Sequence, residues 1–161
     1  RIEDHETGRV QWSQHTRADM RQHFGGAPAK RTVASHTYSE TKQGRREDLG
    51  NQFFRSAWEA NYARYLNWLQ QGGYIDRWEY EPVTFWFEKI KRGTRSYKPD
   101  FQVWEGQKTY FVEVKGYMDP QSRTKLKRMA KYHPSVEVRV IDRSAYSDIK
   151  SKLGRIVPNW E

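Results

Sequence analysis

The amino-acid sequence predicts an α/β domain, a mixed β-sheet flanked by helices in the order helix, three strands, helix, strand, helix, with an arm in front. Three stretches carry that expectation. Ser56 followed three residues later by Glu59 is a capping box, and Trp58, Tyr62, Tyr65, Leu66 and Leu69 continue it at helical spacing until Gly72-Gly73. Residues 97–116 place alternating aromatic and β-branched positions on either side of Gly106-Gln107, the pattern of a hairpin. Asp119 and Pro120 supply an N-cap and a first-turn proline for a second helix, after which residues 136–142 read as a strand.

In chain order, residues 1–48 form the arm, and residues 49–161 the folded domain. The arm is polar and without sustained apolar periodicity. Thr16 caps at most a short helix through Phe24, and His5, His15, His23 and His36 lack metal-ligand spacing, so DNA contact, dimer packing or disorder are its readings. A first residue of Arg rather than Met suits a chain trimmed of an upstream module. Arg45 and Arg46 end a basic approach suited to phosphate contacts or to solvent.

Within the domain, Glu59 has two roles that spacing does not separate: capping its own helix through the Ser56 amide, or facing a neighbouring sheet from the border of the buried stripe. Residues 77–88 are the first strand, interrupted or left with an unpaired position at Pro82; Glu79 and Glu81 share one face there, either as a solvated edge or with one of them at a metal site. The second helix turns Leu126, Met129, Ala130 and His133 inward and Arg123, Lys125, Lys127, Arg128 and Lys131 outward; no acid interrupts the outward set, which favours a DNA-backbone surface over a solvated face. The strand after it is expected to run parallel to the hairpin's second strand, and Tyr146, Ile149 and Leu153 give a final helix closed by Gly154.

A formal charge of +9 over 161 residues favours a polyanionic partner, and the aromatic content of 15% offers stacking as well as core material. The absence of cysteine excludes disulfides and thiolate zinc sites, so any metal must be held by carboxylates or histidines. No apolar run reaches membrane-span length and no secretory h-region is present; a soluble, cytoplasmic protein is expected.

The hairpin carries the chemistry. With Gly106-Gln107 as a two-residue type II′ loop, Glu105 pairs with Lys108, Val103 with Tyr110, Phe101 with Val112, and Asp100 stands across from Glu113 with Lys115 on the same face. Opposed carboxylates repel unless a cation lies between them, which points to a divalent metal; the alternative is a solvated ladder in which Lys115 offsets the charges. The opposite face of the hairpin is apolar, and the helix bearing Glu59 is the expected neighbour of the charged one.

Pro99-Asp100 followed by Glu113-Val114-Lys115 resembles the PD-(D/E)XK pattern of the restriction-endonuclease-like nucleases, within the helix and strand order of that superfamily from about Arg55 to Asp142. The resemblance implies an αβββαβ restriction-endonuclease-like core. Residues 96–101, 111–117, the basic helix, His133-Pro134 and the strand over 136–141 are similar to the phage endonuclease I family of Holliday-junction resolvases. This chain departs from that family in its long arm and wider Asp-to-Glu spacing. The resemblance implies a metal-dependent endodeoxyribonuclease. Asp100, Glu113 and the Val114 carbonyl would ligate Mg²⁺ or Mn²⁺, Glu59 would support a second metal, and Lys115 would stand beside the attacking water. It further implies a branched-DNA or junction substrate, a homodimer, products ending in 5′-phosphate and 3′-hydroxyl, and the host cytoplasm for a phage-encoded chain. A sequence-specific or nicking enzyme of the same fold, and a noncatalytic DNA-binding module, are the rival readings.

Overall fold

The computed structural model describes residues 42–161. The expectations for Thr16–Phe24 and the four N-terminal histidines fall outside them. The described chain runs β1 (Gly44–Arg46), a 3₁₀ turn (Glu47–Leu49), β2 (Gln52–Phe54), α1 (Ala57–Gln71), β3 (Arg77–Tyr80), β4 (Phe85–Trp86), β5 (Ser96–Tyr97), β6 (Phe101–Glu105), β7 (Lys108–Val114), α2 (Pro120–Tyr132), β8 (Val138–Ile141) and α3 (Arg143–Leu153). It is a mixed α/β arrangement. A four-stranded sheet, ordered β3-β6-β7-β8, is flanked by two short two-stranded ribbons, β1-β2 and β4-β5.

The central hairpin forms in the expected register, with Glu105 opposite Lys108, Val103 opposite Tyr110 and Phe101 opposite Val112. Gly106 has φ 60° while Gln107 does not enter positive φ, which is the type II′ pattern. β8 joins β7 in parallel, as the intervening helix requires.

Because β-strand side chains alternate, this register sends two sets of residues to opposite faces. Phe101, Val103, Tyr110, Val112 and Val114 pack under α1 with Ala60, Tyr62, Ala63 and Leu66. Phe111 and Val138 face the other way, against Leu126 and Met129 of α2 and against Phe87 and Tyr97 of the β4-β5 region. The helix bearing Glu59 therefore covers the apolar face of the hairpin, not the charged one. The charged face is shared with a second core, because Phe111 belongs to it.

Residues 77–88 do not form one strand. Glu81 turns into the left-handed region (φ 47°) ahead of Pro82, so β3 stays in the sheet while Phe85–Trp86 leaves to pair with Ser96–Tyr97. Residues 44–48, expected to end the arm, belong to the folded unit: β1 pairs with β2, and Asp48 accepts from the buried Arg64 guanidinium at 2.8 Å. Buried Asn61 ties the last residue to α1, donating to the Glu161 carbonyl at 2.7 Å and to Tyr146 Oη at 2.9 Å. α3 leans on α1 through Tyr146, whose ring stacks on Trp58 at 4.1 Å. Among the described residues no helix is long and apolar enough to cross a membrane.

Gly106→Val places a β-branched residue in the left-handed region, where an L side chain costs about 1–2 kcal/mol. Urea denaturation should show that loss with an unchanged m-value; an unchanged midpoint would mean that the turn does not hold the register.

Candidate active site

Asp100 ends the approach to β6 at the point where the hairpin ladder stops, and it is only 4% exposed. Continuing the register by two residues sets Pro99 opposite Val114. Proline has no N–H to offer the Val114 carbonyl, and the Val114 N–H donates to Asp100 Oδ2 at 2.7 Å. The ladder thus ends at Pro99, and the side-chain bond to the Val114 N–H pins the Asp100 carboxylate against β7. Glu113, next in register across from Asp100, accepts from Tyr97 Oη at 2.8 Å. Tyr97 stays protonated because burial, then the Glu113 charge, pushes its pKa far up.

Burial raises the pKa of Asp100 well above the usual carboxylate range, and the Glu113 and Glu59 charges raise it further against the pull of the Val114 N–H and Arg55. Burial also raises Glu113, although Tyr97, Lys115 and Lys125 each pull it down. Two carboxyl groups are thus held beside each other with little access to water, each disfavouring ionisation of the other.

Glu59 belongs to this neighbourhood by its charge and by one bond: Tyr80 Oη donates to Glu59 Oε2 at 2.7 Å. Its capping role differs from the expected box. Ser56 Oγ accepts from the Glu59 N–H at 3.1 Å, but the Glu59 carboxylate reaches the Arg55 N–H at 3.3 Å rather than the Ser56 amide. One residue therefore closes the helix start and aims a buried carboxylate toward the sheet.

Lys115 is partly exposed, with its ammonium 3.4 Å from Asp119 Oδ2. Asp119 also caps α2 by accepting from the Ser122 N–H at 2.7 Å, and this bond, then Lys115, keeps its carboxyl below the usual range. Beside Lys115 opens a cleft of about 420 Å³, lined also by Gly116, Met118, Asp142, Arg143, Ser144 and Ser147. A Cβ at Gly116 would lie 3.1 Å from the Trp58 ring, a close approach that glycine avoids.

The expected DNA-facing residues do not form one surface. Arg123, Lys127 and Lys131 are exposed on α2, and Lys125 is partly buried, with its charge felt at Glu113. Arg128 donates to the Thr94 carbonyl, tying α2 to the β4-β5 loop. Arg45 and Arg46 lie by α1, across the sheet from α2. Arg45 donates to the Asn51 carbonyl at 2.9 Å, and Arg46 is buried, its Nε donating to Glu161 Oε1 at 2.9 Å. The Arg46 guanidinium therefore belongs to an internal ion pair, which removes it from the phosphate-facing set.

Three neighbours of the site were not singled out by sequence: Tyr97, Tyr80 and Arg55. Arg55 directly precedes the capping Ser56, and Tyr80 and Tyr97 lie in strand-forming stretches. Their common signal is a hydroxyl or guanidinium on a segment that ends beside a motif acid. Glu81, weighed as an edge residue, is drawn in by its left-handed backbone and pairs with Arg55.

This geometry lies inside a region shared with other chains. Residues 42–148 match the family described as Protein of unknown function (DUF1064). The chain belongs to that family. The DUF1064 match spans every acid and cation named at the site, from Arg55 through Asp119, and ends within α3. No curated protein and no solved structure matches the chain.

Among the described residues no group of three or more His, Cys, Asp or Glu side chains is gathered at metal-binding spacing. The donors that fit a hard cation are the buried carboxylate of Asp100 and the half-buried one of Glu113.

Carboxyl groups with raised folded-state pKa values lower stability once ionised. That loss is absent below the ordinary carboxylate pKa of about 4 and grows as pH rises through the raised values. Metal-free protein should therefore lose stability on going from mildly acidic to neutral pH. Asp100→Asn, which keeps an acceptor for the Val114 N–H, should flatten that slope and raise the melting temperature at neutral pH; an identical slope in both proteins would show that Asp100 is not the strained group.

Proposed function

We propose that this DUF1064 domain is a metal-dependent endodeoxyribonuclease with a restriction-endonuclease-like core. The observation that carries the reading is the pair of buried Asp100 and half-buried Glu113 at the end of one hairpin, with Lys115 one residue beyond Val114. Asp100, Glu113 and the Val114 carbonyl would hold Mg²⁺ or Mn²⁺, with Glu59 behind them near a second position. Such an ion supplies Lewis-acid polarisation of a phosphate oxygen and a more acidic water.

The chain's own groups have separate tasks. Tyr97 fixes the Glu113 carboxylate through its hydroxyl, and the Val114 N–H fixes that of Asp100. Lys115, partly exposed beside Asp119, would offer an ammonium to the water or to the negative charge that develops on the phosphate. Asp119 is a positioning residue for that ammonium. Arg123, Lys127 and Lys131 on the exposed face of α2 would take the DNA backbone, whose contacts orient without reading sequence. A structure-selective, phage-type enzyme acting on branched DNA or a four-way junction as a homodimer is the finer reading. It rests on the resemblance of the catalytic half to junction resolvases.

The test uses purified protein with Mg²⁺ or Mn²⁺ against linear duplex, supercoiled plasmid, a flap and a four-way junction of matched sequence. Cleavage of at least one is expected, leaving 5′-phosphate ends, with loss in Asp100→Ala and Glu113→Gln and a fall of about 10²–10³-fold in Lys115→Met. No cleavage of any substrate with either metal removes the enzyme reading and leaves a DNA-binding module. Equal cutting of junction and duplex removes junction selectivity alone.

The α2 surface has its own check. Replacing Lys127 or Lys131 by Gln should weaken DNA binding for all sequences alike and reduce the slope of log K against log salt by about 0.9 for each phosphate left unneutralised. An unchanged slope would move the DNA to another face.

A further inference from the structure

Arg55 stands among the acids in a way that a helix-flanking residue need not. Its guanidinium pairs with Glu81 and lies 3.6 Å from Asp100 Oδ1, and its own N–H donates to Glu59 Oε2. Among the described residues it is the cation within 4.0 Å of Asp100, because Lys115 is turned to Asp119. The dock opposite is built at some expense. Glu81 holds φ 47°, a conformation disfavoured for a non-glycine residue and more so for one that precedes a proline, and its N–H donates to the Asp100 carbonyl at 2.8 Å. Strain of this kind persists where the surroundings impose it, and here it brings a fourth carboxylate to the rim of the site.

We propose that Arg55 is the resident counterion of the acidic site in the metal-free protein, and that a divalent cation enters on Asp100 and Glu113 as the Arg55 guanidinium withdraws from Asp100. The inference rests on the metal-dependent reading given above. Two charges cannot occupy one position beside Asp100, so the guanidinium and the divalent ion compete. The exchange is easy in one direction, because the Arg55 side chain is 57% exposed and an ion pair so open to solvent is worth about 1 kcal/mol or less. Withdrawal leaves Arg55 paired to Glu81 at the mouth of the site, where its planar fork suits a phosphate.

The experiment compares wild type and Arg55→Gln in Mn²⁺ titration by calorimetry and in thermal melting, without DNA. Removing the competitor should tighten Mn²⁺ binding by about two- to fivefold, since a solvent-exposed pair no longer has to be displaced. It should also lower the melting temperature of the metal-free protein, and saturating Mn²⁺ should restore it to that of the wild type. A merely structural arginine predicts a loss of stability that persists at saturating metal, and that result, or unchanged or weaker Mn²⁺ binding, overturns the proposal. In wild-type protein, the Arg55 side-chain ¹⁵N–¹H resonance, assigned by its absence from the variant, should move on adding Mg²⁺; an unmoved resonance at saturation overturns it equally. If neither protein binds Mn²⁺, the metal-dependent reading falls and this inference with it. If both bind it equally, only the role of Arg55 falls.

Discussion

The structure depends on the hydrogen bond from the Val114 N–H to the carboxylate of Asp100. The central hairpin can only be paired one way once Gly106 sets its turn, and that register delivers Pro99 to the place where the next ladder bond should form. Proline cannot donate, so the Val114 carbonyl loses its ladder partner there, and the Val114 N–H is held by the side chain of the adjacent aspartate. One position thus ends the ladder, buries a carboxylate and points it at Glu113. The pairing of β3 with β6, the passage of β4 out of the sheet and the packing of α1 all converge on the same end of the hairpin.

Placing two acids there works against the fold. Both are pushed away from ionisation by burial, and neighbouring Glu59 adds to the repulsion. Apolar residues at these positions would pack between the two cores without such a loss. Tyr97 and a main-chain N–H are each committed to one of these carboxylates, and this environment is what the metal-dependent reading proposed above draws on. Functional sites are where local consistency is given up. The left-handed Glu81 is a second instance within the same few residues.

The fold was legible where a local rule acted alone. The Ser56 cap, the Asp119-Pro120 start, the Gly154 end of α3 and the Gly106-Gln107 turn each depend on a few neighbouring residues, and each is found where the pattern put it. What escaped depended on residues far apart in the chain. The β1-β2 ribbon has no apolar alternation to reveal it; its place is fixed by Phe54 entering the core and by Arg46 and Arg64 meeting Glu161 and Asp48. The break between β3 and β4 had its signal in Pro82, but its position was set by the left-handed turn at Glu81.

The sequence by itself determined the hairpin register, and with it that Asp100, Glu113 and Lys115 share one end of one sheet, because period-two alternation and a two-residue turn leave no freedom. It did not determine what those groups touch. Only the tertiary structure decided that Tyr97 holds Glu113, that Asp119 draws Lys115 aside, that Glu59 approaches from the far face, and that Arg55 lies beside Asp100. It also separated Arg45 and Arg46 from the α2 cations. Side-chain partners across a fold are fixed by burial and by the competition among charges for the few counterions within reach, and neither is a property of any short stretch of chain.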